Sequence, residues 1–219
     1  MMPSPREKLH AAEFAKRLGK ADGIPMGKIF ALAKEFTDMP PAEIETLLES
    51  EHHAMRVGAV SIMDWKARAK KTSEAERKAL YDLYIRRHDR IDTWDLVDRS
   101  APYVVGGYLA DKPRKILYKL AHSADPHERR TAIVSTYFFI RQNDLDDTFA
   151  IAEILVNDKE EVVQKAVGSW VREAGKRNPN RLLQFLDKHA ATMPRITLRF
   201  AIEKLTKAQR EHYLGLKAK

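Results

Sequence analysis

Apolar side chains return every three or four positions along almost the whole chain. In LDDTFAIAEILV, residues 145–156, they fall at Leu145, Phe149, Ala152 and Leu155, one face of a helix. No segment alternates apolar and polar residues over a strand's length, and 9 Gly and 10 Pro are too few for a many-stranded sandwich. Start signals agree. Ser73 and Glu76 have the spacing of a capping box, in which each side chain satisfies the other residue's backbone N–H. Pro40-Pro41, Pro113, Pro126, Pro179 and Pro194 each open a helical stretch, where a missing N–H does no harm.

The breaks between helices are periodic. Pro113, Asp146 and Pro179 stand 33 residues apart, as do Asp125 and Asp158, and the segments HERRTAIVSTYF and KEEVVQKAVGSW behind those two aspartates look alike. Small residues recur at one helical position (Ala59, Ala132, Ala166, Ala201), and a basic residue lies near the start of each second helix (Arg56, Arg129-Arg130, Lys165, Arg199). A period of about 33–36 residues with two helices per unit predicts a helical solenoid. TPR and ankyrin signatures are absent, and a HEAT-like array fits. The expected fold class is all-α, a HEAT-like helical-repeat solenoid wound as a right-handed α-α superhelix, in a single domain over residues 1–219. It comprises a helical N-terminal cap at about 5–37, a C-terminal tail at 207–219, and helix pairs between them. The pairs fall at about 40–51/53–69, 73–88/91–111, 113–123/126–142, 145–157/159–176 and 179–190/194–206.

Charge adds a direction. Thirty-nine basic residues against 31 acidic give a net charge of +8 and a pI near 9.5, which favours an anionic partner. Lys66, Arg68, Lys70, Lys71, Arg129, Arg130, Lys165, Arg172, Lys176 and Arg177 fall on second helices and their ends, while Asp144, Asp146, Asp147 and Glu153 mark a first helix. If second helices line the concave face, as is usual in such architectures, that face is basic. The plainer reading is a set of solvated helix ends whose cations complement the dipole. The absence of Cys excludes disulfides, a thiol nucleophile, Cys-ligated zinc and thiolate-held iron–sulfur clusters. No apolar run approaches the roughly 18–20 residues of a membrane span, and the opening MMPSPREKLHAAEF lacks a signal-peptide core. A cytoplasmic protein is expected, nucleoid-associated when bound to DNA.

Familiar catalytic motifs are missing: no Walker A loop, no dinucleotide fingerprint, no H-E-x-x-H, no H-x-D pair. His52 and His53 are adjacent, hence about 100° apart on a helix, and make a poor bidentate site. All eight His read as surface or interhelical residues, and no metal or cofactor is expected. One segment stands out, DTWDLVD at 92–98. Trp94 and Asp98 are four residues apart and share a helix face, while Leu96 and Val97 can anchor the helix. An aromatic face beside a carboxylate can hold a cation or an electron-poor ring. A packed Trp and a helix-start Asp would look the same.

Longer stretches carry a resemblance. DTWDLVDRSAPYVVGGYL resembles the core motif of the DNA alkylation repair proteins built from HEAT-like repeats, a family of N-glycosylases acting on alkylated purines. DPHERRTAIVSTYFFI also resembles that family. VVQKAVGSWVREAGKRNP is similar to its K-A-[IV]-G-x-x-x-R-E-x-x-K-x-N-P stretch, and GIPMGKIFALAKEF to its G-[IV]-x-x-x-x-x-x-x-L-x-K entry. The four matches stand in order over about residues 23–205. The resemblance implies a catalytic role for Asp98, a stacking role for Trp94 and a backbone-gripping role for Arg130. A second family Trp falls on Ser169; here the Trp stands one residue later, at Trp170, about 100° around the helix. Trp170 is therefore a substrate-binding candidate that would approach from a different angle. Arg56, Lys165 and Arg172 are candidate DNA-backbone contacts. The implied partner is double-stranded DNA, preferably alkylated, with no membrane and no obligate protein partner.

The implied roles make chemical sense. An N3- or N7-alkylated purine carries a formal positive charge and leaves without being protonated. The sugar becomes oxocarbenium-like as the glycosidic bond lengthens, and a fixed carboxylate stabilises that cation and orients water. Asp98 suits both tasks, Trp94 offers a π face to the cationic nucleotide, and Arg130 can fork onto a phosphate. The resemblance further implies a lesion met from the backbone side along a groove rather than a base extruded into a deep pocket. Two other classes stay open: a non-catalytic HEAT-like protein that binds damaged or junction DNA, and a protein-interaction scaffold.

Overall fold

The computed structural model describes residues 9–19 and 23–216, and every regular element among them is helical. The chain divides into two compact units, Met1–Tyr108 and Leu109–Lys219. The first holds α1 (Leu9–Leu18), α2 (Met26–Glu35), α3 (Pro41–Leu48), α4 (His53–Arg68), α5 (Glu74–Arg86) and α6 (Trp94–Ala101), with a 3-10 turn at His88–Arg90. The expected cap at 5–37 is thus helical, with its residues 5–8 and 20–22 outside the described ones. The capping box forms at Ser73 and Glu76, a feature worth about 0.5–2 kcal/mol.

Helix α4 is the centre of this unit. Val57, Ala59, Val60, Ile62 and Met63 are all at most 2% exposed, so the helix is apolar on nearly every side and is surrounded by α2, α3 and α6. Gly58 lies so close to the Phe14 ring of α1 that a Cβ there would collide with it. The sequence reading extends one helix over 91–111; the structure instead starts α6 at Trp94 and widens it to a π-helical turn at Pro102–Gly106. The reason is covalent. Pro102 has no N–H for the Asp98 carbonyl, and the Gly107 N–H closes a wider ring onto the Pro102 carbonyl at 3.0 Å.

The second unit holds α7 (Lys115–Ala121), α8 (Pro126–Ser135), α9 (Tyr137–Ile140), α10 (Asp146–Leu155), α11 (Glu161–Arg177), α12 (Pro179–His189), α13 (Arg195–Ala201) and α14 (Lys207–Gly215). The helix expected over 126–142 is interrupted at Thr136, where the Ser135 and Thr136 hydroxyls donate to the Thr131 and Ile133 carbonyls at 2.7 Å. The segment expected as a tail, 207–219, is helical over Lys207–Gly215. A second capping box, Thr206 with Gln209, starts it, and the buried Tyr213 ties it down through a 2.8 Å bond to Asp187. Residues 217–219 lie outside the described ones.

The repeat rhythm has a physical basis within each unit. Ala59, Ala132, Ala166 and Ala201 are at most 1% exposed, because helices cross there. Arg56, Arg129 and Gln164 each donate to a carbonyl six residues upstream, those of Ser50, Ser123 and Asp158, and so close the turn before each second helix. The acidic stretch is paired with cations of neighbouring helices. Arg114 binds both Asp144 and Asp147 at 2.6 Å, Arg181 binds Asp146 at 2.6 Å, and Lys188 binds Glu153 at 2.8 Å, which joins successive repeats. No helix among the described residues is long and apolar enough to cross a membrane.

Candidate functional site: a groove beside helix α6

Leu96 and Val97 are fully buried and seat α6 on α4. That docking leaves Trp94 57% exposed and Asp98 half-buried. Both line a groove of about 420 Å³, together with Met26 and Phe30 of α2, Val57 and Arg68 of α4, and Asp95 and Arg99 of α6. Asp95 is otherwise engaged. Its carboxylate is 2.8 Å from His53 Nε2 and accepts from the Thr93 hydroxyl at 2.7 Å.

Adjoining the groove is a polar layer that sequence reasoning missed. Asp64 is completely buried on α4. Its Oδ1 accepts from Arg68 Nε at 2.8 Å, and its Oδ2 lies 3.2 Å from Arg99 Nη1. Arg68 stacks on Tyr103 at 3.9 Å; Arg99 lies over Phe30 at 4.5 Å and Trp65 at 5.1 Å. Burial pushes the Asp64 carboxyl up, with Arg99 and Arg68 opposing, and burial pushes the Arg99 guanidinium down, with Asp64 opposing. Removing Asp64 would strand the charge of Arg99. The available signal was a lone carboxylate inside the apolar run AVSIMDW, four residues before an Arg.

The other candidates are placed differently. Arg56 is nearly buried, pairs with Asp92 at 3.2 Å and is not among the residues that line the groove. Arg130, Lys165, Trp170 and Arg172 belong to the second unit. Arg130 is 6% exposed and donates to the Val162 carbonyl. Lys165 pairs with Glu161 one turn away, and Arg172 pairs with Glu203. Trp170 is half-buried: its indole donates to the Val134 carbonyl at 3.0 Å, and Tyr137 meets it edge-on at 6.1 Å. Ser169 beside it is half-buried. Several other second-helix cations are also buried or paired. Lys66 is buried, Lys71 pairs with Asp38, Arg129 with Asp158 and Lys176 with Glu173. Among the described residues no group of three or more His, Asp or Glu could hold a metal ion.

A family model described as DNA alkylation repair enzyme matches residues 2–205. The solved structure described as "Predicted DNA alkylation repair enzyme from Enterococcus faecalis" superposes with a TM-score of 0.65, covering 94% of this chain and 98% of that one at 18% identity. That likeness is one of fold, an all-α helical-repeat architecture. No curated protein matches this chain.

Proposed function

We propose that this chain, which belongs to the DNA alkylation repair enzyme family, is a glycosylase that hydrolyses the N-glycosidic bond of cationic N3- or N7-alkylpurines in duplex DNA. Family membership gives it a role in DNA repair, with DNA as its substrate. The observation that carries the reaction type is the joint placement of exposed Trp94 and the Asp98 carboxylate along one groove with an apolar lining.

In this reading the bond between C1′ and the base nitrogen breaks with its electron pair going to the base, which cancels the charge that alkylation put there. No general acid is needed. Asp98 stabilises the oxocarbenium-like sugar and orients the water that adds to C1′, and the proton of that water passes to solvent. Trp94 presents its π face to the cationic nucleotide, an interaction worth about 0.5–2 kcal/mol. Arg130, held in place in part by its hydrogen bond to the Val162 carbonyl, grips a phosphate.

The test is release of N3-methyladenine and N7-methylguanine from methylated duplex by native protein and by Asp98→Asn. Release is expected from the native protein, lowered on the order of 10²–10³-fold in the variant, with duplex affinity equal or higher because a negative charge has been removed. A second reading, a non-catalytic protein that binds damaged or junction DNA, is favoured by Trp170, whose indole is tied to a backbone carbonyl. No release of either base by native protein would select it.

A further inference from the structure

We propose that Arg68 and Arg99, anchored by Asp64, form a phosphodiester-binding subsite in the groove wall. It takes the backbone phosphate next to the nucleotide whose sugar faces Asp98, and it rests on the glycosylase reading only for that register.

The first observation is a charge imbalance. One fully buried carboxylate faces two guanidiniums, so the layer itself carries one positive charge more than Asp64 cancels; of the two other carboxylates lining the groove, Asp95 is paired with His53 and Asp98 is the catalytic candidate. The second is the direction of the donors that remain. Arg68 spends Nε on Asp64, and among the described residues its two Nη atoms have no hydrogen-bond partner; its side chain is 37% exposed. One face of its guanidinium is covered by Tyr103 at 3.9 Å, so its donors meet an acceptor in the guanidinium plane, the geometry in which a fork holds two phosphate oxygens. Arg99 gives Nε to Ser61 Oγ at 3.2 Å, its Nη1 lies 3.2 Å from Asp64 Oδ2 as an ion pair, and its Nη2 is buried without a hydrogen-bond partner. Both arginines line the groove; the open fork is that of Arg68, and Arg99, whose Nη2 is closed off from solvent, adds its charge behind it. The third is the setting. Met26, Phe30 and Val57 give the groove apolar walls, which limit water and strengthen an ionic contact. Asp64 is then a positioning residue: it touches no DNA, and it fixes the angle of both forks.

The experiment compares native protein with Arg68→Gln on two substrates. On undamaged duplex, the plot of log K against log salt should lose about 0.9 of its slope in Arg68→Gln, the contribution of one phosphate. On duplex carrying one stable abasic-site analogue, neighbouring phosphates are replaced one at a time by neutral methylphosphonate. One replacement beside the analogue should weaken native binding on the order of tenfold, the size of one charge-assisted hydrogen bond, and should cost Arg68→Gln nothing further. An unchanged slope overturns the subsite. A reduced slope with additive losses at every position overturns its placement beside Asp98. Neither arm requires base release, so a protein that releases no base but shows the slope change separates failure of the glycosylase reading from failure of the subsite. Should Arg68→Gln not fold, Arg68→Met, whose apolar stem keeps the packing on Tyr103 and leaves Asp64 paired with Arg99, removes the same charge and carries the same two measurements.

Discussion

Helices α4 and α11 are the same repeat element put to different ends. Both are long, 16 and 17 residues, and both carry a glycine where another element comes too close for a Cβ: Phe14 against Gly58, and the Thr197 and Phe200 region against Gly168. Both hold a Trp whose indole donates to a carbonyl about one repeat upstream, Phe30 for Trp65 and Val134 for Trp170. The residue before the Trp differs. In α4 it is Asp64, buried and clamped by two arginines; in α11 it is Ser169, half-buried, with charge pairs at the surface around it. A shared scaffold thus sets the Trp, and one substitution at the adjoining position decides whether the helix stores an ionic layer beside a groove.

The comparison breaks most visibly at that position. Asp64→Ala leaves Arg99 with an uncompensated charge in a mostly buried place, and breaking such a pair costs about 3–5 kcal/mol. Arg68 can turn to water, so urea unfolding should report the lower end of that range. Ser169→Ala should stay within about 0.5 kcal/mol. Equal losses would mean that the two helices differ in sequence but not in energetics.

Next in size is Asp98 against its neighbour. Asp98→Asn should lower base release on the order of 10²–10³-fold with the fold intact by urea midpoint. Asp95→Asn weakens contacts to His53 and Thr93 and should cost stability on the order of 1 kcal/mol, with release per folded molecule nearly unchanged. Matching losses of release would assign the chemistry to the wrong carboxylate.

The shared Trp gives a smaller and more symmetrical effect. Trp65→Phe and Trp170→Phe each remove one indole N–H and should each cost about 0.5–1.5 kcal/mol in thermal or urea unfolding. If Trp170 is scaffold, its variant keeps base release once stability is allowed for. A further drop in release would restore it as a substrate contact. Smallest of all, Lys165→Ala and Arg172→Ala each lose a surface pair worth about 0–1 kcal/mol. Each should change the salt slope of duplex binding by no more than about 0.9, against a total near −4 to −5 for about 4–6 phosphates, and equally for damaged and undamaged DNA.

Local rules made much of the fold legible. The capping box at Ser73, the proline starts at Pro41, Pro126 and Pro179, the buried Ala59–Ala132–Ala166–Ala201 series and the facing of Trp94 with Asp98 all depend on residues within a turn or two of each other. The same rules apply at Thr206 and Gln209, whose T-x-x-Q spacing specifies the helix Lys207–Gly215 in place of the expected tail. The π turn at Pro102 was also written in the chain, since a proline four residues after Asp98 cannot complete its helical bond.

By itself the sequence determined helicity, the repeat period, the caps and a Trp–Asp pair on one helix face, because these follow from backbone chemistry and the 3.6-residue turn. Tertiary structure alone decided which charges remain available. Arg114 is spent on Asp144 and Asp147, Arg181 on Asp146 and Arg99 on Asp64, partners some 30 to 35 positions away. It also decided that Trp170 is bound between helices. A cation's reach is set by neighbours brought close through packing, and an apolar pattern specifies that a face is buried without specifying which element covers it.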